Sequence, residues 1–370
     1  MPLLNVECID NAEGLQPLRT EWNELLGDSE ADSIFLTYEW ISAWLQVAES
    51  PRILTFAIRD DGGRLVGLAP FHCQKLRLAG LVSYDFLRMA ASLETGAEYQ
   101  RPFMRRGYES DALKSLTQGL AEHRHRWDAI WAMNLDAWHA GCQQFGEGVA
   151  AAGFGLAERP STFTHVVLPV DREQFWSSRS KSMREAVRRS RKQLEGRDWR
   201  FRTCETEADV NEFKQALFDL HAIRWQAQDD SGAFERRPGF KRFVEAFLPV
   251  AHQQGWLRFH MLEIDGAPGA VQLGFVYNGA YHVFQEGFDI NRQSGLGNVL
   301  RAMVLDTCID EGVTDYDFLG GTSEHKRRWG AEPRQGQDLI VWPKGFKQLI
   351  FDLGPIWPTG RFFSAADQTP

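Results

Sequence analysis

The feature that most limits how this chain can fold is a pair of dipeptides, Asp265-Gly266 and Asn278-Gly279, that interrupt runs of strand-forming residues. Asp-Gly and Asn-Gly accept positive φ angles readily, and the two-residue turns between antiparallel strands require such angles. The runs on either side predict strands over residues 256–264, 269–277 and 281–288. The sequence therefore predicts a three-stranded antiparallel meander.

A glycine-containing loop, Arg292-Gln293-Ser294-Gly295-Leu296-Gly297, follows the meander. Apolar residues at helical spacing then predict a helix over 296–311 that ends at Gly312, and a strand over 313–319. Glycine lets backbone N–H groups approach a phosphate closely, and a helix N-terminus favours negative charge. The loop is interpreted as a phosphate site, with a turn that merely starts a helix as the alternative.

The first half of the chain repeats this order of elements more faintly. Strands are predicted over 52–59 and 64–74, a helix over 111–124 and a strand over 127–135. A chain of 370 residues exceeds the usual size of a single hydrophobic core. We therefore expect two related domains in tandem, of the α/β (α+β) class.

Domain boundaries are expected where polar and turn-forming residues collect. The predicted division is a first domain over 1–160, a second over 161–345 and a tail over 346–370 that is punctuated by Pro, Gly and Ser.

Charge and cysteine content limit the partners. The formal net charge is −9, which argues against DNA as a partner. The five cysteines are scattered and form no Cys-x-x-Cys pair, which is typical of reduced thiols in the cytosol and predicts no metal site. The apolar stretches fall far short of the ~20 residues needed to cross a bilayer. We expect a cytoplasmic protein.

The Arg-x-x-Gly-x-Gly loop between a meander and a helix resembles the pyrophosphate loop of the GCN5-related N-acetyltransferases, the GNAT superfamily. The layout is similar to the branch with paired GNAT domains, called BioF2-like or CelD-type, which is related to the FemAB-type aminoacyl transferases of peptidoglycan synthesis. Four stretches carry the resemblance: Phe35-Leu-Thr-Tyr-Glu-Trp40, Leu65-Val-Gly-Leu-Ala-Pro-Phe71, the loop, and Tyr316-Asp-Phe-Leu-Gly-Gly-Thr-Ser-Glu-His-Lys326 with Trp329-Gly330.

The resemblance implies two tandem GNAT-like domains, each a mostly antiparallel mixed sheet flanked by helices. The second would bind acetyl-CoA, or another acyl-CoA, as the donor. The first lacks the loop, because Arg105-Arg106-Gly107 has no second glycine in register. The expected donor-binding residues are Arg292, Gln293, Ser294, Gly295, Leu296, Gly297 and Asn298.

Acyl transfer needs a base for the nucleophile and donors for the developing oxyanion. Glu286, near the end of the last meander strand, is a candidate base, with an exposed strand charge as the alternative. Asp317 lies on a strand of apolar character, where a carboxylate must be paired or functional, and it is the second candidate base. Lys326 is the expected partner of Asp317 or the electrostatic stabiliser of the reaction.

Tyr281, Trp329 and Arg188 are weaker candidates for substrate binding. Arg188 belongs to a basic segment over 179–197 that contains eight Lys and Arg residues. That segment is either a solvated helix face or a binding wall for an anion, such as a CoA phosphate, an acidic acceptor, a tRNA end or an anionic lipid.

The sequence thus favours transfer of an acyl group from CoA to an amine or hydroxyl of a small molecule or a cell-envelope saccharide. Two alternatives are a FemAB-like transferase that uses aminoacyl-tRNA, and a non-catalytic accessory protein of polysaccharide production. The basic segment is short and has no heptads, which argues against tRNA. Association with the membrane periphery or with envelope synthesis stays open.

Overall fold

The computed structural model describes residues 4–92, 94–226, 232–352 and the backbone of 363–365. The described strands, in chain order, are β1 (Asn5–Ile9), β2 (Arg52–Ile53), β3 (Thr55–Arg59), β4 (Leu65–Ala69), β5 (Phe71–Leu78), β6 (Val82–Met89), β7 (Phe103–Met104), β8 (Ala129–Leu135), β9 (Gly155–Val167), β10 (Trp199–Thr203), β11 (Leu257–Ile264), β12 (Ala267–Tyr277), β13 (Ala280–Phe288), β14 (Asp315–Gly320), β15 (Glu332–Trp342) and β16 (Phe363–Ala365).

The described α-helices lie between these strands, singly or in groups of two or three. They are α1 (Arg19–Gly27), α2 (Tyr38–Val47), α3 (Glu109–Glu122), α4 (Ala140–Ala151), α5 (Arg172–Ser178), α6 (Lys181–Lys192), α7 (Glu207–Gln226), α8 (Gly232–Arg236), α9 (Pro238–Gln253), α10 (Leu296–Asp310), α11 (Glu324–Arg328) and α12 (Leu349–Asp352). No helix in the described part of the chain is both long and apolar enough to cross a membrane.

The chain divides into two compact units. Unit 1 comprises residues 1–161 and 335–370, and unit 2 comprises residues 162–334. The domain boundaries predicted from sequence, after residues 160 and 345, stay a prediction. Most of the predicted tail, residues 353–362 and 366–370, lies outside the described residues.

Unit 1 contains two sheets. One has the strand order β1-β3-β4-β7 and is antiparallel throughout. The other runs β15-β8-β6-β5, with β2 and β16 both paired to β5, and only β6 and β8 are parallel within it. The predicted strand over 64–74 is wrong as a single strand, because it is divided into β4 and β5 at Pro70, which has no N–H to continue a ladder.

Unit 2 is built on the predicted meander. Strands β10 to β13 are antiparallel neighbours, β14 joins β13 in parallel, and β9 joins β14 antiparallel. Both predicted turns are confirmed: φ is 50° and 74° at Asp265 and Gly266, and 48° and 74° at Asn278 and Gly279.

Helix α7 begins with a reciprocal cap between Thr206 and Asp209. The Thr206 amide donates to Asp209 Oδ2 at 2.9 Å, and the Asp209 amide donates to Thr206 Oγ1 at 3.2 Å. This exchange satisfies amides at the helix start that have no partner within the helix. The cap matters for the site because the far end of α7 lines it.

Candidate active site in unit 2

The central feature of unit 2 is a parallel strand pair that stays together for only part of its length. The register between β13 and β14 covers Ala280 to His282, opposite Asp315 to Asp317. Beyond it β13 continues to Phe288, and a cavity of about 680 Å³ opens there. Strands β13 and β14, helices α7, α10 and α11 and the loop before α10 line this cavity.

A bulge shapes the β13 wall of the cavity. Leu273 of β12 pairs with Gln285, and Gly274 pairs with Val283, so Phe284 is the extra residue on β13. Bulges bend a strand and redirect the side chains that follow. Glu286 follows this bulge and lines the cavity.

Glu286 is bound by a buried arginine on α10. The Arg301 guanidinium donates through Nη2 to Glu286 Oε1, and Arg301 Nη1 lies 2.6 Å from His325 Nε2. The side chain of Arg301 is 3% exposed and that of Glu286 is 19% exposed. The alternative of a solvated strand charge therefore does not describe Glu286.

The protonation of this trio follows from its burial. Burial and the neighbouring Arg301 lower the pKa of His325 to about 4, so His325 is neutral at pH 7 and accepts from Arg301. Burial alone would lower the pKa of Arg301, but Glu286 and Tyr316 outweigh it and the pKa is raised. The cavity wall therefore holds a fixed positive charge beside a carboxylate.

A second arginine reaches the same cavity from α7. Arg224 lies over the Phe288 ring at 4.6 Å and over the Trp225 ring at 5.5 Å. Its Nε is buried without a hydrogen-bond partner. Burial lowers the pKa of Arg224, and the charge of Arg301 lowers it further, while Glu286 opposes the shift. An anion in the cavity would compensate the charge of Arg224, since Arg301 is already paired with Glu286.

The predicted phosphate loop opens onto the cavity. Gly295 caps α10 with a φ of 83°, and Gly295, Gly297 and Asn298 all line the cavity. A Cβ at Gly295 would lie 2.2 Å from Ser190 Oγ of α6, so this glycine also lets α6 pack against the loop. The Asn298 amide already donates to the Gly295 carbonyl at 3.0 Å.

The other loop residues hold the loop in place. Arg292 Nη1 donates to the carbonyls of Ile264 and Ala267 at 2.8 and 3.3 Å, which ties the loop to the first meander turn. Gln293 bonds to Arg197 and to the Ser190 carbonyl. Ser294 is exposed, and Leu296 is 1% exposed and packs in the core. Direct contact of Arg292, Gln293 or Leu296 with a phosphate has no support in this geometry.

The two residues predicted on and after β14 have separate partners. Asp317 is buried, lies 3.6 Å from His282 Nδ1 and accepts from the Leu319 amide at 2.7 Å. Burial would raise the pKa of Asp317, but His282, the Leu319 amide and Arg334 together lower it. Unlike Glu286, Asp317 is not a lining residue of the cavity.

Lys326 does line the cavity, and its ammonium is engaged by the backbone. Nζ donates to the carbonyls of Phe318, Leu319, Gly320 and Gly321 at 2.9, 3.3, 2.6 and 3.0 Å. Leu319 has a positive φ of 60°, so the lysine stabilises a sharply turned end of β14. This geometry supports a structural task for Lys326 beside the cavity.

Tyr281 and Trp329 lie in the core and not on the cavity wall. Both are 0% exposed, and Tyr281 stacks on Tyr316 with ring centroids 5.0 Å apart. Gln272 donates to the Tyr281 hydroxyl at 3.0 Å, and the Trp329 carbonyl accepts from Arg179. Neither ring is placed to touch a substrate in the cavity.

Arg188 lies on a different surface. Met183, Val187 and Ser190 share the face of α6 that packs inward, while Arg188 and Lys192 project from the other side. There they line an open groove of about 880 Å³ with Arg189, Arg191 and Trp199, among others. The basic segment is therefore a solvated helix face with a cationic groove.

Sequence reasoning missed Arg301, His325 and Arg224. The available signal was the position of Arg301 in Asn298-Val-Leu-Arg-Ala-Met-Val-Leu305, where it is the single charge in an apolar run. Within the described residues, no group of three or more His, Cys, Asp or Glu side chains is arranged to hold a metal ion.

Comparisons with known proteins agree with this geometry. Residues 181–327 match a family model described as an acetyltransferase (GNAT) domain. This match covers the cavity and the loop, and it supports a GNAT-type domain in this part of the chain. No curated protein matches the sequence.

Solved structures show the fold. A structure of FemX is similar over 95% of this chain and 100% of its own, with a TM-score of 0.63 and 11% identity. A tandem GNAT protein from the clavulanic acid biosynthesis pathway is similar over 92% and 100%, with a TM-score of 0.51 and 12% identity. The C-terminal domain of a putative lysylphosphatidylglycerol synthetase from Agrobacterium fabrum is similar over 88% and 92%, with a TM-score of 0.53 and 12% identity. The fold is thus the mixed α/β fold of tandem GNAT-like domains.

Proposed function

We propose that this chain is an acyltransferase that moves an acetyl or other acyl group from CoA to an amine or hydroxyl of a small molecule or a cell-envelope saccharide. One observation carries the proposal: a single cavity contains the glycine loop at the start of α10 and the Glu286–Arg301 pair. A donor-phosphate site and a candidate base thus face the same space.

The donor's pyrophosphate fits the loop end of the cavity. The first amides of α10 have no acceptor within the helix, and the helix dipole favours an anion there. Arg224 adds a guanidinium whose Nε is buried without a partner. The Phe288 ring lies between these groups, since it faces Arg224 and is 3.1 Å from the position of a Cβ on Gly297.

Glu286 is the proposed base. Its carboxylate would take the proton from the attacking amine or hydroxyl, the nucleophile would attack the thioester carbon, and the CoA thiolate would leave. Arg301 positions the carboxylate through the buried Glu286–Arg301 ion pair. A direct transfer is proposed, with no covalent acyl-enzyme.

Titration of acetyl-CoA into the full chain, followed by calorimetry, tests the donor. We expect binding in the micromolar range, weakened by about tenfold in Arg224→Met because one charge-assisted contact to a phosphate is lost. Arg200→Met, at an exposed position on β10, is the matched control and should bind like the parent. No heat at millimolar acetyl-CoA would contradict the proposal.

An aminoacyl-tRNA donor is the second candidate, and the cationic groove on α6 is the observation that favours it. Arg and Lys rows beside an aromatic ring suit single-stranded nucleic acid. Filter binding of tRNA to the parent, to Arg188→Glu with Arg189→Glu, and to Arg200→Glu as control decides this. Tight binding lost only in the double variant, together with no acetyl-CoA binding, would replace CoA as the donor. If neither tRNA nor acetyl-CoA binds, the interpretation as a non-catalytic accessory protein is the one that is left.

A further inference from the structure

A cluster of buried polar groups lies on one face of the mixed sheet of unit 1, where β5, β6 and β8 are neighbours. Arg88 of β6 pairs with His72 of β5 across the ladder. Its guanidinium carbon lies 3.9 Å from the ring centroid of Trp131 on β8. None of these residues belongs to the candidate active site.

The central group of this cluster is a fully buried guanidinium. Arg88 is 0% exposed, and its Nη2 donates to Met133 Sδ, a weak acceptor, at 2.9 Å. Nε and Nη1 are buried without a hydrogen-bond partner. A buried cation is strongly disfavoured unless an opposite charge and hydrogen bonds compensate it, and attraction to an aromatic ring is the smaller effect.

The nearby carboxylate is already committed. Asp338 accepts from Arg159 Nη2 at 2.5 Å and from the Asn134 amide at 2.8 Å, and it acts on Arg88 through charge alone. Burial lowers the pKa of Arg88 to about 9, against the attraction of Asp338, so the side chain is still protonated at neutral pH. The positive charge therefore persists and lacks a dedicated partner.

The groups around the guanidinium are polar as well. His72 Nδ1, Gln74 Oε1 and Trp131 Nε1 are each buried without a hydrogen-bond partner. Burial, followed by the charge of Arg88, lowers the pKa of His72 to about 3, so this ring is neutral. His72 and Trp131 are each 8% exposed, which puts the cluster one side chain beneath the surface.

We propose that Arg88, His72 and Trp131 form a binding site in unit 1 for an oxyanion group, a carboxylate or a phosphate, carried by a ligand of this chain. Arg88 supplies the charge through Nε and Nη1, and the Trp131 indole N–H supplies a neutral donor. Strand register holds the side chains of the three strands on one face of the sheet. The proposal is independent of the donor chemistry in unit 2.

The test compares Arg88→Met with Arg77→Met in the full chain. Arg77 is exposed on β5, so its variant removes a cation of the same sheet without touching the cluster. The thermal unfolding midpoint is measured in chloride and then in inorganic phosphate or acetate at matched ionic strength. We expect one of the two anions to raise the midpoint of the parent and of Arg77→Met, and to leave Arg88→Met unchanged. The effective anion identifies the ligand group as phosphate or carboxylate.

In chloride alone, Arg88→Met should unfold at the same temperature as the parent or above it, because an uncompensated buried charge has been removed. Equal anion stabilisation of parent and Arg88→Met would overturn the proposal. If Arg88→Met does not fold, the readout is NMR of the parent labelled with ¹⁵N-arginine. The Nε–Hε resonance of Arg88 is identified as the one that is missing from the spectrum of Arg88→Lys. That resonance should shift with the effective anion, and a resonance that neither anion shifts would also overturn the proposal.

Discussion

Each unit has a glycine-containing loop that leads into a helix, Arg105-Arg106-Gly107 before α3 and Arg292 to Gly297 at the start of α10, but the two loops differ in what they face. In unit 1, the Gly107 amide before α3 donates to Glu109 Oε2 at 2.8 Å, and Arg105 Nη1 donates to Asp28 Oδ2 at 2.8 Å. In unit 2, Gly295 and Gly297 line a cavity beside the buried Arg301 and the half-buried Arg224. The unit 1 loop therefore carries its own anions, and the unit 2 loop is built to receive one.

The difference teaches that element order alone does not predict a donor site. A helix N-terminus attracts any anion, including a side chain of its own first turn. Glu109 takes that position in unit 1, while the first turn of α10 contains no acidic residue. The unit 2 loop therefore differs in two ways: the first turn of its helix, among the described residues, has no carboxylate, and glycines line the cavity there.

The largest expected effect comes from replacing one carboxylate in each unit, Glu286 in unit 2 and Glu109 in unit 1. Glu286→Gln should lower kcat by about a thousandfold, because the proposed base is lost while the amide still accepts from Arg301. Glu109→Gln in unit 1 is the matched control and should leave kcat within about twofold of the parent value. Thiol release from acetyl-CoA with an active acceptor measures both, and equal rates in parent and Glu286→Gln would exclude Glu286 as the base.

The pH dependence of the free energy of unfolding tests whether His221, which lines the cavity, is buried in its neutral form. Burial, followed by Arg224 and Arg236, lowers the pKa of His221 to about 4, and its Nε2 accepts from Trp225 Nε1 at 3.0 Å. A lowered folded-state pKa stabilises the fold above the unfolded value of about 6.5, and this stability is lost as the pH falls towards 4.

His221→Gln should therefore reduce the loss of unfolding free energy between pH 7 and pH 4.5, by up to roughly 3 kcal/mol. Urea denaturation at both pH values measures the change. A pH dependence identical to that of the parent would contradict the assignment of a neutral, buried His221.

Matched substitutions of Gly297 in unit 2 and Gly107 in unit 1 test whether the two loops differ in donor binding. Gly297→Asp puts a carboxylate at the second position of α10, where it repels the donor's pyrophosphate, and the nearby Phe288 ring needs to move by only a few tenths of an ångström. We expect CoA affinity to fall by about a hundredfold, or ~2.8 kcal/mol.

The matched variant Gly107→Asp has open space around its Cβ and a positive φ that Asp tolerates better than most residues. It should bind CoA like the parent in the same calorimetric titration. Weaker CoA binding by Gly107→Asp would assign donor contacts to unit 1 as well.

The smallest effect concerns the cap of α7. Thr206→Ala removes one side of the reciprocal cap and should lower the free energy of unfolding by about 1 kcal/mol. Because Arg224 and Trp225 lie at the far end of this helix, CoA affinity should stay within about twofold. A larger loss of affinity would show that helix fraying reaches the cavity.

The sequence predicted the parts of this fold that depend on local chemistry. Asp-Gly and Asn-Gly set the meander turns, because each turn involves residues that are adjacent in the chain. Glu286 was chosen for its place near the end of the last meander strand; the structure puts it on the cavity wall, and its role as the base stays a prediction.

The remainder of the site depends on contacts that periodicity does not encode. Arg301 was missed because helical periodicity is judged from the apolar residues alone. Its contacts with Glu286 and His325 form only in the folded chain. Tyr281 was misplaced because its hydroxyl is satisfied by Gln272 from the neighbouring strand, which makes a polar residue compatible with the core. Lys326 was assigned to Asp317 because four backbone carbonyls leave no trace in sequence.

Strand β15, the neighbour of β8, comes mostly from residues beyond unit 2, so β8 is synthesised on the ribosome long before its partner. The Asn134 amide bonds to Asp338, 204 residues later in the chain. Residues 162–334 therefore emerge, and can fold, while β8 still has an unpaired edge. An exposed strand edge is a site of mispairing, so the order of emergence leaves β8 open to mispairing until β15 has been synthesised.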